Sequence, residues 1–370
     1  MPWSQTTVTD QRKEFARLAR QPGANVSELC RRFQISRKTG YKWLGRQCFE
    51  DLSRRPLNSP GRTEAALEAK VIEVRDRNPA WGARKIAHVL QRDQDVHLAS
   101  STVNGVLRRH GRISEQASQA ATAWQRFEHE EPNSLWQIDF KGHFATAKQR
   151  CHPLTVLDDH SRFNIVLHAL PDERRDSVQP VLQAAFERHG LPLRINADNG
   201  QPWGNSGQHG PTGLAVWLIR HGVRVSYSRP LHPQTNGKDE RFHRTMKAEV
   251  LARYEFQDLQ DAHKRLSTWR NVYNFERPHE ALNMQTPASR YRPSTRSMPK
   301  QPPPIEYLAG DLVRKVQQDG WISLHGRPIR LSRGLAGQPV ACRPLAEIDG
   351  NFAIFFCHQK VDEISLTQPC

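Results

Sequence analysis

Three acidic residues stand where predicted regular elements begin or end: Asp139 in LWQIDFKG, Asp198 in INADNG and Glu240 in HPQTNGKDERFHRTMK. They are widely separated in the chain, so only a fold could bring them together. Carboxylate oxygens are hard ligands that suit Mg²⁺, and phosphoryl transfer by two metal ions needs such ligands to converge on one place. The three acids therefore predict a site that holds divalent metal against a phosphodiester.

Predicted strands position two of these acids. The apolar residues of WQIDF alternate with polar ones, so a period of two puts Asp139 on the face opposite the large apolar side chains. A short strand over Leu193–Ala197 ends directly before Asp198. Both carboxylates are therefore expected beside a central sheet.

The third acid lies on a predicted helix, Asn236–Arg253, whose first residue is a favoured cap. Helical spacing places Glu240 on one stripe with the basic residues Arg244 and Lys247. The apolar side chains take the other side: Phe242, Met246 and Val250. Asp239 is interpreted as a first-turn acid favoured by the helix dipole. The sequence thus favours Glu240 over Asp239 as the metal ligand.

The composition favours a protein that meets a polyanion. The net charge is +16 over 370 residues and the pI is near 10.0, a balance typical of proteins that bind nucleic acid. Mean hydropathy is −0.73, and the sequence has neither a membrane-length apolar run nor a signal-peptide pattern, which predicts a soluble cytoplasmic protein. The six cysteines lack zinc-site spacing and are interpreted as structural thiols.

The first third of the chain is predicted to be all-α. Helical spacing indicates two helix-turn-helix domains, residues 1–50 and 60–113, followed by a linker at 114–133, with Ser36 and either Ser100 or Ser101 as helix caps. Basic residues on the second helix of each unit are candidates for DNA contact: Arg37, Lys38, Lys42, Arg108 and Arg109. Two alternatives stay open: a helical bundle with a solvated basic face, or a unit that packs against a partner.

The remainder divides into an α/β segment, 134–295, and a segment of short strands, 302–370. Asp-Gly turn signals between the later strands predict a small all-β barrel domain. This domain either grips DNA backbone through Arg327, Arg330 and Arg333 or serves as a dimerisation or packing module.

An ordered set of motifs spans the α/β segment: WQIDFKG, LDDHSR, ADNG, HPQTNGKDERFHRTMKAEV, W-x3-YN-x2-RPH and TPASRY. Together they closely resemble the bacterial insertion-sequence transposases that carry a retroviral-integrase-type (DDE) catalytic core. The segment between the second Asp and the Glu is longer than is usual in that family, with the surplus expected in Gln201–Gly213. The His/Cys zinc module of retroviral integrases has no match in this sequence, so the transposase branch is the nearer one.

The resemblance implies a ribonuclease-H-like core in which Asp139, Asp198 and Glu240 bind two Mg²⁺ (or Mn²⁺) ions. It implies that Lys247 contacts transposon-end DNA, with Arg244 on the same face. The expected activity is DNA transposition: water cleaves an element end, and the freed 3′-hydroxyl attacks target DNA. Expected partners are DNA and further copies of the chain, at least a dimer. The alternatives are a catalytically silent DNA-binding regulator and a metal-dependent nuclease.

Other polar residues have simpler interpretations. Asp158 and Asp159 could be metal ligands, but a turn after a strand explains them. Trp203 either stacks on a DNA base or packs in the protein. Three histidines are weak candidates for proton transfer, since two-metal catalysis needs no side-chain base: His160, His232 and His279.

Overall fold

The protein is described by a computed structural model covering residues 7–51, 62–113, 129–204, 210–228, 237–345 and 350–366. The chain forms two compact units, residues 1–62 and 63–370. Asn236, His232 and part of the Gln201–Gly213 loop lie outside the described residues. No helix within the described ranges is both long enough and apolar enough to cross a bilayer.

The first unit contains three helices: α1 (Val8–Ala19), α2 (Val26–Arg32) and α3 (Arg37–Leu44). Phe15, Cys30 and Trp43 form its buried core. The predicted cap is confirmed, because the Ser36 hydroxyl accepts a hydrogen bond from the Thr39 amide. Gly40 lets the helices approach closely, since a Cβ there would lie 2.5 Å from the Cys30 sulfur.

A second helical bundle begins the other unit: α4 (Ala65–Arg77), α5 (Ala83–Gln94) and α6 (Ser100–Arg109). The predicted cap of the third helix was wrong. Ala99 occupies the cap position without a side-chain hydrogen bond, so Ser100 is already inside the helix. The bundle packs on the rest of its unit through α5, where the Arg92 guanidinium donates to the Glu276 carbonyl at 3.1 Å. This contact joins the second bundle to the α/β segment of the same chain.

The α/β segment is built on a mixed sheet. Its strands are β1 (Trp136–Phe140), β2 (Phe144–Ala145), β3 (Arg150–Asp158), β4 (Asn164–Leu170), β5 (Arg194–Ala197) and β6 (Arg224–Tyr227). Strand β1 is central, because it pairs antiparallel with β3 on one side and parallel with β5 on the other. Strand β4 extends the sheet beyond β3, and β6 pairs with β5. The short β2 was not predicted.

Helices cover both faces of this sheet. They are α7 (Arg175–His189), α8 (Gly213–Arg220), α9 (Gly237–Met246) and α10 (Leu259–Asn271). Helices α7 and α8 pack on one face and α9 and α10 on the other, each pair with its own buried cluster. Helix α9 continues as a π-helical turn, Lys247–Leu251, and α10 as another, Val272–Glu276. This layered α/β arrangement agrees with the predicted ribonuclease-H-like fold.

The C-terminal region is all-β, as predicted. Its strands are β7 (Leu312–Lys315), β8 (Trp321–Leu324), β9 (Arg327–Arg330), β10 (Pro339–Pro344), β11 (Asn351–Phe356) and β12 (Gln359–Ser365). They form a four-stranded sheet in the order β12-β11-β10-β7 and a β8-β9 hairpin. Buried side chains of this domain and of the central sheet share one hydrophobic cluster. The domain therefore packs against the α/β segment, which was one of the predicted alternatives.

Two further contacts fix this packing. The Ser332 hydroxyl donates to the Pro211 carbonyl, just before α8, at 2.7 Å. The Gln359 side-chain amide accepts from the Val225 N–H and donates to the Val225 carbonyl, both at 2.8 Å. Gln359 thus bonds to edge strand β6 as a neighbouring strand would.

The end of the predicted linker packs on the sheet segment. The His129 amide donates to Asp159 Oδ2 at 3.0 Å, and the Asn133 amide donates to Asp158 Oδ1 at 2.6 Å. Residues 129–133 therefore contact the α/β segment, while residues 114–128 lie outside the described part of the chain.

Candidate active site

Asp139 lies near the end of the central strand β1, half-buried with 28% of its side chain exposed. Its Oδ1 accepts a hydrogen bond from the Phe140 amide at 2.8 Å. Burial and, next in size, the negative charge of Asp198 together raise the pKa of this carboxyl to about 6. A nearby cation would stabilise the ionised form of a carboxylate in this environment.

Asp198 directly follows β5, the parallel neighbour of β1, at an exposed position. Its Oδ1 accepts from the Gly200 amide at 3.1 Å. Partial desolvation raises the pKa of Asp198, the Gly200 hydrogen bond lowers it, and the charge of Glu173 raises it. Because adjacent strands deliver Asp139 and Asp198 to the same edge, the structure brings these two predicted acids together.

Glu240 lies on the exposed side of α9, together with Arg244 and Lys247. The predicted stripes are confirmed, because the apolar side chains of this helix are buried: Phe242, Met246 and Val250. Among the contacts of the described residues, none joins Glu240 to Asp139 or Asp198, and the same residues contain no group of three His, Cys, Asp or Glu side chains that could hold a metal ion. The assignment of Glu240 as third ligand stays a prediction.

Asp239 differs from the sequence interpretation. It lies in the first turn of α9, as expected, yet only 1% of the residue is exposed and neither carboxylate oxygen has a hydrogen-bond partner among the described residues. Burial, then the charges of Asp139 and Asp159, raise its pKa well above the usual range. The buried face of α9 extends into its first turn, so the protein encloses the carboxylate of this first-turn acid.

The neighbouring turn residues are structural, as predicted. Asp158 is buried, and its Oδ2 accepts from the Ser161 amide at 2.8 Å and from the Ser161 hydroxyl at 2.5 Å. Asp159 is also buried, accepts from the Gln137 side-chain amide at 2.7 Å and forms an ion pair with Lys238. These bonds occupy both carboxylates, which supports the turn interpretation over metal ligation.

The aromatic and histidine candidates also have structural surroundings. Trp203 is buried, with its ring 6.0 Å from that of Phe140, so it packs in the protein. His279 is buried against the Tyr273 ring. His160 lies within hydrogen-bonding distance of the His129 carbonyl, at 2.8 Å.

Sequence reasoning missed two groups beside the paired acids. His243 is buried, and its Nδ1 lies 3.8 Å from Asp139 Oδ2. Burial lowers the pKa of His243 to about 4, so the ring is neutral near pH 7. Its position three residues after Glu240 on the same helix was the available signal. Glu173, bonded to His152 Nδ1 at 2.8 Å, precedes α7, and no spacing in the sequence pointed to it.

The candidate DNA contacts are not equivalent. Arg37, Lys38 and Lys42 are exposed on α3, and Arg108 is exposed at the end of α6. Arg109 instead forms an ion pair with the buried carboxylate of Glu68, at 2.5 Å. A second partner of Glu68 is His110, at 2.8 Å. Arg109 therefore has a role inside the helical bundle that Arg108 lacks.

Four family models match the chain. Two described as "Integrase core domain" match residues 129–233 and 221–287, which contain all three predicted acids. A model described as "IS481 family transposase, C-terminal domain" matches residues 311–369, the all-β region. A "Homeodomain-like domain" model matches residues 25–107 and so spans parts of both helical bundles.

Relatives include a 31.7 kDa protein of insertion element IS407 from Burkholderia multivorans, 24% identical over 280 residues, or 71% of this chain and 93% of the relative. A 39.2 kDa protein of insertion element IS476 from Xanthomonas euvesicatoria is 27% identical over 157 residues, or 42% of this chain and 44% of the relative. A chain of the simian T-cell lymphotropic virus intasome is 14% identical, with TM-score 0.40, covering 80% of this chain and 96% of that one. The family models and the insertion-element relatives support an insertion-sequence transposase with an integrase-type core.

Proposed function

We propose that this protein cleaves the ends of a mobile DNA element and joins the freed 3′ strands to target DNA, using divalent metal ions held by Asp139, Asp198 and Glu240. The pairing of Asp139 with Asp198 carries this proposal. Both acids lie at the C-terminal ends of two adjacent parallel strands, β1 and β5, inside the segment that matches integrase cores.

The two paired acids fit a divalent cation. Each uses Oδ1 to accept one backbone amide, which orients the carboxylate while oxygen lone pairs stay available for a metal. Their mutual repulsion and partial burial favour a bound cation or proton. Mg²⁺ or Mn²⁺ bound here would supply Lewis-acid activation of the attacking oxygen and charge stabilisation of the leaving oxygen.

Two displacements at phosphorus complete the reaction. In the first, water attacks a phosphodiester at the element end; one P–O bond forms, another breaks, and a 3′-hydroxyl is released. In the second, that hydroxyl attacks a target phosphodiester, so one phosphodiester is exchanged for another. No nucleotide cofactor is required, because the number of phosphodiester bonds does not change in the joining step.

Basic side chains on exposed surfaces would hold the DNA. Arg244 and Lys247 are exposed on the same stripe as Glu240, along α9 and the π-helical turn that follows it. The exposed residues Arg37, Lys38 and Lys42 make α3 the element suited to the major groove. Since two element ends must be joined together, we expect the active species to contain at least two copies of the chain.

The test is a strand-transfer assay with pre-cleaved DNA taken from the sequence that flanks the coding region. Asp139→Asn, Asp198→Asn and Glu240→Gln should each lower joining in Mg²⁺ by about 10³-fold or more, because each removes a metal ligand. Asp239→Asn, at the adjacent position of α9, is the matched control. It should change the joining activity by no more than several-fold relative to the wild-type protein. Melting curves establish that each variant is folded.

The outcomes separate the rival functions. Cleavage without joined product indicates a metal-dependent nuclease, and DNA binding without cleavage indicates a silent regulator. If Asp239→Asn abolished joining while Glu240→Gln kept it, the buried acid of α9 would be the third ligand.

A further inference from the structure

His243 connects helix α9 to the strand that carries Asp139. Only 8% of the residue is exposed. Its Nε2 lies 2.9 Å from the hydroxyl of Thr155, a fully buried residue of β3 directly opposite Asp139 in the sheet. Its Nδ1 lies 3.8 Å from Asp139 Oδ2. The ring therefore fills the space between a structural hydroxyl and a proposed metal ligand.

Hydrogen-bond accounting fixes the roles of the two ring nitrogens. The Thr155 hydroxyl donates its single proton to the Asp139 backbone carbonyl, at 2.9 Å. It must then accept from His243, so Nε2 carries the hydrogen. Nδ1 faces Asp139 Oδ2 at 3.8 Å, which is too far for a hydrogen bond. The closed path His243–Thr155–Asp139 links α9, β3 and β1.

We propose that His243 is a positioning residue for the metal site: through Thr155 it fixes α9 against the Asp139 strand, and its buried ring packs beside the Asp139 carboxylate. This inference rests on the proposed function, because it assumes that Asp139 binds a cation. The same link determines where α9 carries Glu240. His243 touches neither DNA nor the reacting phosphorus in this role.

Metal affinity, measured by titration calorimetry with Mn²⁺ and Mg²⁺ in the absence of DNA, is the first test. His243→Ala should weaken binding by about 10–100-fold, the range seen when groups that orient metal ligands are removed. His243→Gln should restore binding to within a few-fold, because its terminal amide can donate to Thr155 as Nε2 does. Thr155→Val should weaken binding like His243→Ala.

His189 provides the matched control. It is as buried as His243, at 8% exposure, and its Nδ1 lies 3.2 Å from the Tyr291 hydroxyl, outside the acidic site. His189→Ala should lower the melting temperature while leaving metal affinity unchanged. If both alanine variants lost affinity in proportion to lost stability, the role of His243 would be general packing and the proposal would be overturned.

A second measurement uses the wild-type chain, so a folding defect in a variant cannot affect it. Nitrogen-15 spectra of labelled histidine side chains distinguish a bare ring nitrogen from a protonated one, and the His243→Gln spectrum identifies the signal. The proposal requires a hydrogen on Nε2, and it requires the ring nitrogen signals to shift as diamagnetic Mg²⁺ is titrated into the protein. Protonation of Nδ1 alone would contradict it.

Failure of this proposal can be told apart from failure of the proposed function. If Asp139→Asn loses metal affinity but His243→Ala keeps it, the metal site stands and the positioning role is wrong. If Asp139→Asn itself keeps full affinity, the metal site is elsewhere.

Discussion

Asp239 lies near the paired acids, and its carboxylate is buried without a hydrogen-bond partner among the described residues. A buried polar group in this state typically costs about 1–3 kcal/mol. The charges of Asp139 and Asp159 also raise its pKa. The site therefore holds destabilising negative charge when no cation is bound.

We expect Asp239→Asn to stabilise the metal-free protein at pH 7 by on the order of 1 kcal/mol. The sign follows from the raised pKa: the folded state binds the proton more tightly than the unfolded state, so stability falls as pH rises above about 4. Asparagine does not titrate, so the gain should shrink toward pH 4. Urea unfolding in the presence of a chelator, at pH 7 and at pH 4, measures this gain in the free energy of unfolding. An equal gain at the two pH values would contradict its electrostatic origin.

For individual residues, the sequence predicted positions on strands well, because side chains alternate between the two faces of a sheet. It was ambiguous for residues at the border between the buried and exposed faces of a helix. Asp139 and Asp198 were predictable, because strand ends meet at one sheet edge. Asp239 and Glu240 are only 100° apart around a helix. Which of them is buried depends on the rotation of α9 about its axis, which only packing against β3 and α10 determines. The ion pair of Arg109 was not foreseen for a similar reason, since its partner Glu68 is 41 positions away.

Among the elements, α9 and α10 are joined by a buried polar cluster. Glu249, in the π-helical turn after α9, accepts from the Trp269 indole at 2.8 Å and from the Arg277 guanidinium at 2.9 Å. Glu249 and Arg277 are each 8% exposed. This cluster holds the helix that carries Glu240, so its integrity bears on the site.

We expect Glu249→Leu to lower the free energy of unfolding by about 3–5 kcal/mol, because it leaves the Arg277 charge buried and unpaired. The double variant with Arg277→Met should recover much of that loss. Chemical denaturation of the four members of this cycle gives the coupling. Glu255→Leu, at an exposed position nearby, is the control and should change stability by less than about 0.5 kcal/mol. Additive losses in the double variant would exclude the ion-pair explanation.

Most elements were predictable from period and capping, as the α3 start at Ser36 shows. The exceptions have local causes. Two-residue β2 is too short to leave an alternating pattern, and the π-helical turn at Lys247 depends on contacts from α10. Neighbouring serines made the start of α6 ambiguous by one position. These are features that pairing and packing decide after the elements have formed.

For the whole molecule, division into two units has a thermodynamic consequence. Contacts cluster within residues 1–62 and within residues 63–370. The second unit joins its α/β segment and its β domain through a shared hydrophobic cluster, so these should unfold together. The first unit should unfold in a separate transition.

Gly40→Ala tests this division. A Cβ there would lie 2.5 Å from the Cys30 sulfur and 2.9 Å from Phe15 Cζ, so the first unit should lose its folded state. Scanning calorimetry should show the loss of one transition, while the larger transition of the second unit keeps its temperature. Gly45→Ala is the control, since its nearest contact is 3.6 Å. A downward shift of both transitions would show that the units are coupled.

The side chain of Gln359 has a consequence for the solution behaviour of the protein. Strand β6 ends the central sheet, and an exposed sheet edge is a template on which another chain can add a strand. One side-chain amide occupies the backbone groups of Val225 and brings the β domain over that edge. The β domain thereby covers the β6 edge of the central sheet, and we expect chains truncated before residue 302 to aggregate through β6.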